Sequence, residues 1–315
     1  MQIDPDVVTR AARAFGLSPK ALEPLGGSEG ALLRAHGPSD RALKLVPVDD
    51  AGPDRLLARW AFVAYLAENG VLVAQPLPSP EGETILWLDG PEHRWSAVML
   101  LWFEGHPLDP RRFGQTKPAV LRAWGRLLGR MHALSKTYPA GEALHDWREE
   151  TEGMLALCQD PQVRAAWERV IATLDALPRD ADAYGLVHND LHSLNILVQG
   201  SDVRVIDFDV CGHHWFACDL AITQQSALWM APGRSHQPTM RRLFQHIWEG
   251  YRRENDLDPS WRERIGLFLD YRRLLLYSVF HAEYEGAVGW QRACVNRWRE
   301  GIQSGRPVTD QPWWL

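Results

Sequence analysis

The chain has 315 residues, enough to bury a sizeable core and to form two lobes, with 45% hydrophobic and 23% charged residues, ordinary values for a globular protein. Its formal net charge of −6 argues against nucleic acid as the main partner, because phosphate backbones are held by clustered Lys and Arg. No stretch approaches the roughly 18 apolar residues of a membrane span, and the N-terminus lacks the apolar core of a secretory signal, so a soluble, cytoplasmic protein without a membrane partner is expected.

Val7, Val8, Ala11, Ala14 and Phe15 fall at helical spacing and predict a helix over 5–16. After Pro24 the runs "LGGSEGALLRAHG" and "DRALKLVPV" read as two short strands with turn residues between them. "PDRLLARWAFVAYLAENG" predicts a helix closed by Asn69–Gly70. "ETILWLDGPEHRWSAVMLLWFEG" reads as a strand, a turn at Asp89–Gly90–Pro91 and a second strand ending at Gly105. From Pro118 the period becomes helical, over 118–135, 145–158 and 161–177. A β segment interrupts at 184–210, and helices return at about 219–230, 236–254, 260–286 and 288–303. The expected class is α+β, with a small N-terminal β-rich lobe (1–102) and a larger, mostly helical C-terminal lobe (103–315). The basic pairs Arg111–Arg112, Arg241–Arg242, Arg252–Arg253 and Arg272–Arg273 are interleaved with acids and read as solvated helix faces.

Chemistry concentrates in "VHNDLHSLNIL", where His188, Asp190 and Asn195 satisfy H-x-D-x-x-x-x-N. A dozen residues on, "VRVIDFDV" places Asp207 at the end of an apolar strand. Phosphoryl transfer explains the combination. Its transition state is loose and highly charged, so catalysis is positioning and charge neutralisation. Mg²⁺ keeps several waters, and one carboxylate with one amide oxygen suffices as protein ligands; Asp207 and Asn195 supply that pair. Asp190 remains to take the acceptor's proton or orient its hydroxyl, with His188 and His192 bracing the loop. In "ALKLV", Lys44 points opposite to Leu43 and Leu45 and is a candidate phosphate contact; alone it could be the solvent side of an edge strand. "GGSEG", Gly26 to Gly30, offers backbone N–H groups to phosphate through Gly27 and Ser28. No GxxxxGK[ST] occurs, which excludes a Walker-type site.

Cys158, Cys211, Cys218 and Cys294 form no CxxC pair, so no disulfide framework is suggested. "CGHHWFAC" gathers Cys211, His213, His214 and Cys218 without standard zinc spacing, and a polar, aromatic loop is favoured over a metal site.

These segments, in this order and with "VMLLWFEGHPL", "RLLGRMHALS" and "VIDFDVCGHHWFACDLA", resemble the aminoglycoside phosphotransferase-like superfamily, which includes choline kinases and homoserine kinase-like small-molecule kinases. The resemblance covers roughly residues 20 to 225. It implies a bilobal protein-kinase-like fold and transfer of the γ-phosphate of ATP, or GTP, to a hydroxyl of an amino sugar, amino alcohol or homoserine-like acceptor. It makes Asp190 the catalytic aspartate, Asn195 and Asp207 the Mg²⁺ ligands and Lys44 the contact to the α/β phosphates. Adenine is expected beside the strand at Leu100 to Phe103, Leu100 and Trp102 included, through backbone groups. Asp219 resembles the buried aspartate that holds the catalytic loop's backbone; a plain helix N-cap fits its sequence context equally well.

One position departs from the family pattern. The small-lobe glutamate that pairs with the lysine falls near Arg59, which would repel Lys44; Asp54 is the nearest upstream acid and Glu29 another candidate. A catalytically weak or inactive nucleotide-binding module of the same fold is therefore the alternative function. A protein Ser/Thr kinase is disfavoured, because "CDLA" follows Asp207 too closely for a long activation segment. Acceptor-pocket candidates are Asp270, Tyr271, Arg272, His281, Glu283 and Glu285, while Trp290, Trp298, Trp313 and Trp314 read as core or interface.

Overall fold

Val7, Ala11 and Phe15 recur on one helical face because that face is covered: with Leu33, Leu43, Leu45, Trp95 and Met99 they form one buried cluster. The computed structural model describes residues 3–26, 30–48, 52–139, 141–230, 237–284, 286, 288–309 and 312–315. It divides into two units, one running to Gly105 and taking in Arg204–Ile206, the other beginning at His106.

In the first unit, α1 (Pro5–Ala14) lies against a six-stranded sheet of β1 (Leu22–Gly26), β2 (Ala31–Ala35), β3 (Arg41–Val48), β4 (Pro76–Leu77), β5 (Leu86–Asp89) and β6 (Arg94–Leu101), with α2 (Gly52–Glu68) between β3 and β4. The order is β1-β2-β3-β6-β4, with β5 also on β6, and every pairing is antiparallel. Strand alternation puts Leu43 and Leu45 in the core at 0% exposure, while Lys44 takes the other face opposite Leu32 and Val98. Since β3 has a neighbour on each side, the edge-strand reading of Lys44 does not hold. Gly30 is required by close approach: a Cβ there would lie 2.0 Å from the Leu45 carbonyl oxygen.

The second unit is mostly helical: α3 (Pro118–Ser135), α4 (Trp147–Leu157), α5 (Pro161–Asp175), α6 (Phe216–Met230), α7 (Gln237–Tyr251), α8 (Ile265–Ala282) and α9 (Gly289–Gln303). Asp146 and Asp160 cap α4 and α5, each accepting from two N–H groups of the first turn. α3 and α7 pack backbone to backbone. A Cβ on Gly125 would meet the Ile247 oxygen at 1.9 Å, and one on Gly250 the Arg122 oxygen at 2.1 Å.

In chain order with these helices come β7 (His106–Pro107), β8 (Tyr184–Val187), β9 (Ile196–Gln199), β10 (Asp202–Val205, its last two residues belonging to the first unit) and β11 (Gly212–Trp215). β11 corrects the expectation of a loop in "CGHHWFAC": it pairs antiparallel with β8, Gly212 opposite Val187 and Trp215 opposite Tyr184. Alternation then separates the two histidines, His214 going into the core and His213 to the other face. Because β11 feeds straight into α6, that helix starts at Phe216 rather than near 219.

α8 is buried almost all round, from Ile265 to Phe280. The expected solvated face at Arg272–Arg273 is therefore overturned: the two arginines are 4% and 8% exposed. Apolar residues on both sides of the pair draw the whole helix inside, and each guanidinium needs an internal partner. Among the described residues no helix is long and apolar enough to cross a membrane.

Candidate active site

The connection from β8 to β9 carries His188, Asp190 and Asn195. Buried Val187 and Leu191 anchor it on both sides of Asp190, and a 3₁₀ turn at Ser193–Asn195 hands the chain to β9. Within it, the backbone N–H groups of His188 and Asn189 donate to the two oxygens of Asp219, at 2.9 and 2.8 Å. Asp219 lies inside the first turn of a helix that begins at Phe216, so the N-cap reading does not hold.

Burial opposes ionisation of Asp219, but the hydrogen bonds from the His132 ring and the His188 backbone outweigh it and hold the carboxyl below its usual range. Burial pushes His132 down, so a neutral ring faces an ionised carboxylate. Its Nε2 then donates to Asp219 at 3.3 Å, and Nδ1 accepts from the Tyr251 hydroxyl at 2.9 Å. That hydroxyl accepts in turn from Asn255 Nδ2 at 2.6 Å.

A second brace comes from residues the sequence did not single out for it. Asn189 Nδ2 donates to Glu150 of α4 at 3.0 Å, and the Tyr271 hydroxyl of α8 donates to the other Glu150 oxygen. Burial raises the Glu150 carboxyl, against the opposing effects of Tyr271, Arg272 and Asn189. The next residue along α8, Arg272, donates Nη2–H to Asp190 Oδ1 and Nε–H to Gln225 Oε1, the latter at 2.6 Å. An arginine inside "FLDYRRLLLYSVF" is the signal that could have found this contact, since a cation in an apolar helix requires a buried acceptor.

Asp190 Oδ2 faces Asn195 Nδ2 at 3.3 Å and His192 Nε2 at 3.4 Å. Asn195 Nδ2 also donates to the Asp190 carbonyl at 2.9 Å, which commits its nitrogen and turns its amide oxygen elsewhere. His192 Nδ1 accepts from Leu194 N–H at 3.1 Å, and burial depresses the ring, so the neutral form carries its proton on Nε2. The charges felt by His192 include both Asp190 and Asp207.

Asp207 is exposed at φ 69°, and Asn189 sits at φ 63°; among the described residues these are the non-glycine residues in the left-handed region. Such conformations cost about 1–3 kcal/mol each and cluster where a site over-determines them. Phe208 is buried against His188, ring centroids 4.5 Å apart. Asn195 and Asp207 offer only oxygen to a metal, the donor chemistry of a hard cation that keeps most of its waters. Among the described residues no three His, Cys, Asp or Glu side chains converge into a metal cage.

In the first unit, Lys44 lies mid-sheet and Leu100 pairs with Ala42 and Pro76. Trp102 donates Nε1–H to Glu104 at 2.9 Å and carries the Arg34 guanidinium 4.5 Å from its ring centroid. Arg59 is half-buried on α2, and Asp54 is exposed in that helix's first turn. Gly27, Ser28, Glu29 and Glu285 lie outside the described residues.

The acceptor candidates separate. Arg272 reaches Asp190 directly and Tyr271 reaches Asn189 through Glu150, whereas Asp270 pairs with Arg273 at 3.0 Å and accepts from Val308 N–H at 2.7 Å, pinning the C-terminal segment. His281 and Glu283 line an open depression at the end of α8 with Tyr284 and Arg299. Trp298, Trp313 and Trp314 are buried, and Trp290 is exposed.

The sequence model of the phosphotransferase enzyme family matches residues 25–259. An amicoumacin kinase of Bacillus subtilis (strain 168) is 27% identical over 317 residues, spanning 96% of this chain and 93% of that protein. Among solved structures, an amicoumacin kinase in complex with AMP-PNP, Ca²⁺ and Ami superposes with a TM-score of 0.88 at 24% identity, over 99% of this chain and 96% of that one. A microcompartment-associated aminopropanol kinase follows with a TM-score of 0.73 at 21% identity, covering 97% and 100%. The chain belongs to the phosphotransferase enzyme family and is a small-molecule kinase.

Proposed function

We propose that this kinase transfers the γ-phosphate of Mg-ATP to a hydroxyl of an amine-bearing small molecule, with an amicoumacin-type compound as the first acceptor to try. The observation that carries the reading is the Asp190 carboxylate, fixed by Arg272 on one oxygen and approached only loosely, by Asn195 and His192, on the other. That second oxygen takes the proton as the acceptor oxygen forms its bond to phosphorus and the bond from phosphorus to the ADP oxygen breaks. Asn195 keeps its amide nitrogen on Asp190 and gives its oxygen, with Asp207, to the cation. A hard divalent cation held there would supply neutralisation of the phosphate charge. Lys44 is the proposed phosphate contact, and the backbone at Leu100 and Trp102 is the proposed adenine site. The acceptor class rests on the likeness to an amicoumacin kinase across nearly the full length of both chains.

The test is acceptor-dependent release of nucleoside diphosphate. Amicoumacin, aminopropanol, spectinomycin, choline and homoserine are each offered with Mg-ATP or Mg-GTP, and the phosphomonoester is identified by mass spectrometry. Turnover of at least one amine-bearing acceptor with ATP is the expected result. Tight Mg-ATP binding with no turnover of any acceptor supports the inactive module instead.

A further inference from the structure

We propose that Arg272 is a positioning residue of the transfer, acting through Asp190. The inference rests on Asp190 being the catalytic aspartate and adds what sets the orientation of its carboxylate.

Arg272 is 4% exposed, on a helix whose other buried residues, Arg273 and Ser278 apart, are apolar or aromatic. Its guanidinium is held at two points. Nε donates to Gln225 Oε1 at 2.6 Å, and Nη2 donates to Asp190 Oδ1. Gln225 is itself fully buried on α6, so the anchor cannot swing away without dragging core side chains. A planar, delocalised fork can span two acceptors in fixed directions, which a single ammonium cannot.

The consequence is an asymmetry between the two carboxylate oxygens of Asp190. Oδ1 is locked by a charge-assisted bond from a buried donor. Among the described residues, Oδ2 has only the 3.3 Å contact from Asn195 and the 3.4 Å contact from His192, and the Asp190 side chain keeps 26% of its surface open. One oxygen orients and the other is left for the acceptor's hydroxyl.

The neighbouring side chain extends the same control. Tyr271 grips Glu150, Glu150 grips the side chain of Asn189, and Asn189 is the left-handed residue just before Asp190. Two consecutive residues of α8 therefore fix two consecutive residues of the catalytic loop. The competing explanation is that Arg272 only balances the charges of Asp190 and Glu150 and could be any buried cation or none.

The experiment is a double-mutant cycle on the full chain: Asp190→Asn, Arg272→Met, the pair together, and Arg272→Lys. Kinetics use amicoumacin, or the acceptor of the panel above with the highest turnover. Misplacement of a catalytic group by about 1 Å costs on the order of 100-fold, so Arg272→Met is expected to lower kcat by about 100-fold with the acceptor KM little changed. Arg272→Lys keeps the charge without the two-point hold and is expected to recover about tenfold of that loss. The double variant is expected to be no slower than Asp190→Asn alone, because Arg272 has nothing to orient once the base is gone.

If Asp190→Asn is inactive while Arg272→Met keeps its kcat, the inference is overturned and the reading of Asp190 stands. If the two losses multiply, Arg272 acts on the phosphate or acceptor directly and the positioning role is wrong. If Asp190→Asn keeps full kcat, the reading of Asp190 fails and takes the inference with it. Should Arg272→Met not fold, Arg272→Lys and Gln225→Met carry the test, and unchanged kcat in both overturns it.

Discussion

The backbone N–H of Asn189 donates to Asp219 Oδ1 at 2.8 Å, and that bond helps hold a non-glycine residue at φ 63°. A buried carboxylate thus sets the backbone immediately before Asp190. Hydrogen bonds to charged groups contribute about 1.5–3 kcal/mol each, so Asp219→Ala, which strands two N–H groups and His132, is expected to cost about 3–5 kcal/mol. Urea unfolding measures the loss. Activity measured where the variant is still folded should fall as well, because the loop relaxes from the left-handed conformation.

The contact between α3 and α7 sets a second expectation. With a Cβ at Gly125 only 1.9 Å from the Ile247 oxygen, Gly125→Ala must push two helix backbones apart. Overpacking costs about 1–3 kcal/mol where side chains can adjust, and a backbone obstacle puts this substitution at or above the upper end. Gly153→Ala, where nothing lies within 4 Å, is the control and should be neutral or mildly stabilising. Thermal unfolding of the two variants side by side checks both.

Much of this architecture is written in period and spacing. The long helices from Pro118 onward and the alternation around Lys44 are local signals, and H-x-D-x-x-x-x-N gathers its groups on one short loop. What stayed hidden depends on contacts distant in the sequence. Gly212–Trp215 has no apolar alternation of its own and becomes a strand only by pairing with Tyr184–Val187. Glu150 lies in "WREETEG", where an acid reads as favourable first-turn charge. Its link to Asn189 spans 39 residues. The burial of Arg272 is hard to read locally because its neighbour Arg273 suggests a wet face, although the apolar residues around both leave no such face.

A pH effect follows from His214, which is fully buried among Trp215, Phe268 and Tyr271. Burial pushes its pKa down to about 3, from about 6.5 in the unfolded chain. The unfolded state therefore binds the proton first as pH falls, and stability present above pH 6.5 is lost progressively down to about pH 3. Between pH 7 and pH 5 this one residue should cost about 2 kcal/mol. His214→Phe, apolar and suited to an aromatic cage, should flatten the stability profile over that interval, as urea titrations at several pH values would show.

The proposed metal ligands give a readout that needs no acceptor. At about 100 times Kd, Mg-ATP should add about 2.7 kcal/mol to the unfolding free energy of the wild type. Asp207→Ala should retain the fold, since its side chain is exposed, and lose the Mg²⁺-dependent part of that shift. An equal shift in both proteins would remove Asp207 from the metal site.

The most direct measurement is the transfer itself: γ-labelled Mg-ATP and amicoumacin with wild type beside Asp190→Asn, the labelled product separated and counted. Labelled phosphomonoester from the wild type, reduced by about 100-fold or more in Asp190→Asn, is the predicted result. Labelled product formed equally fast by both proteins would contradict the assignment of Asp190 as the group that takes the acceptor's proton.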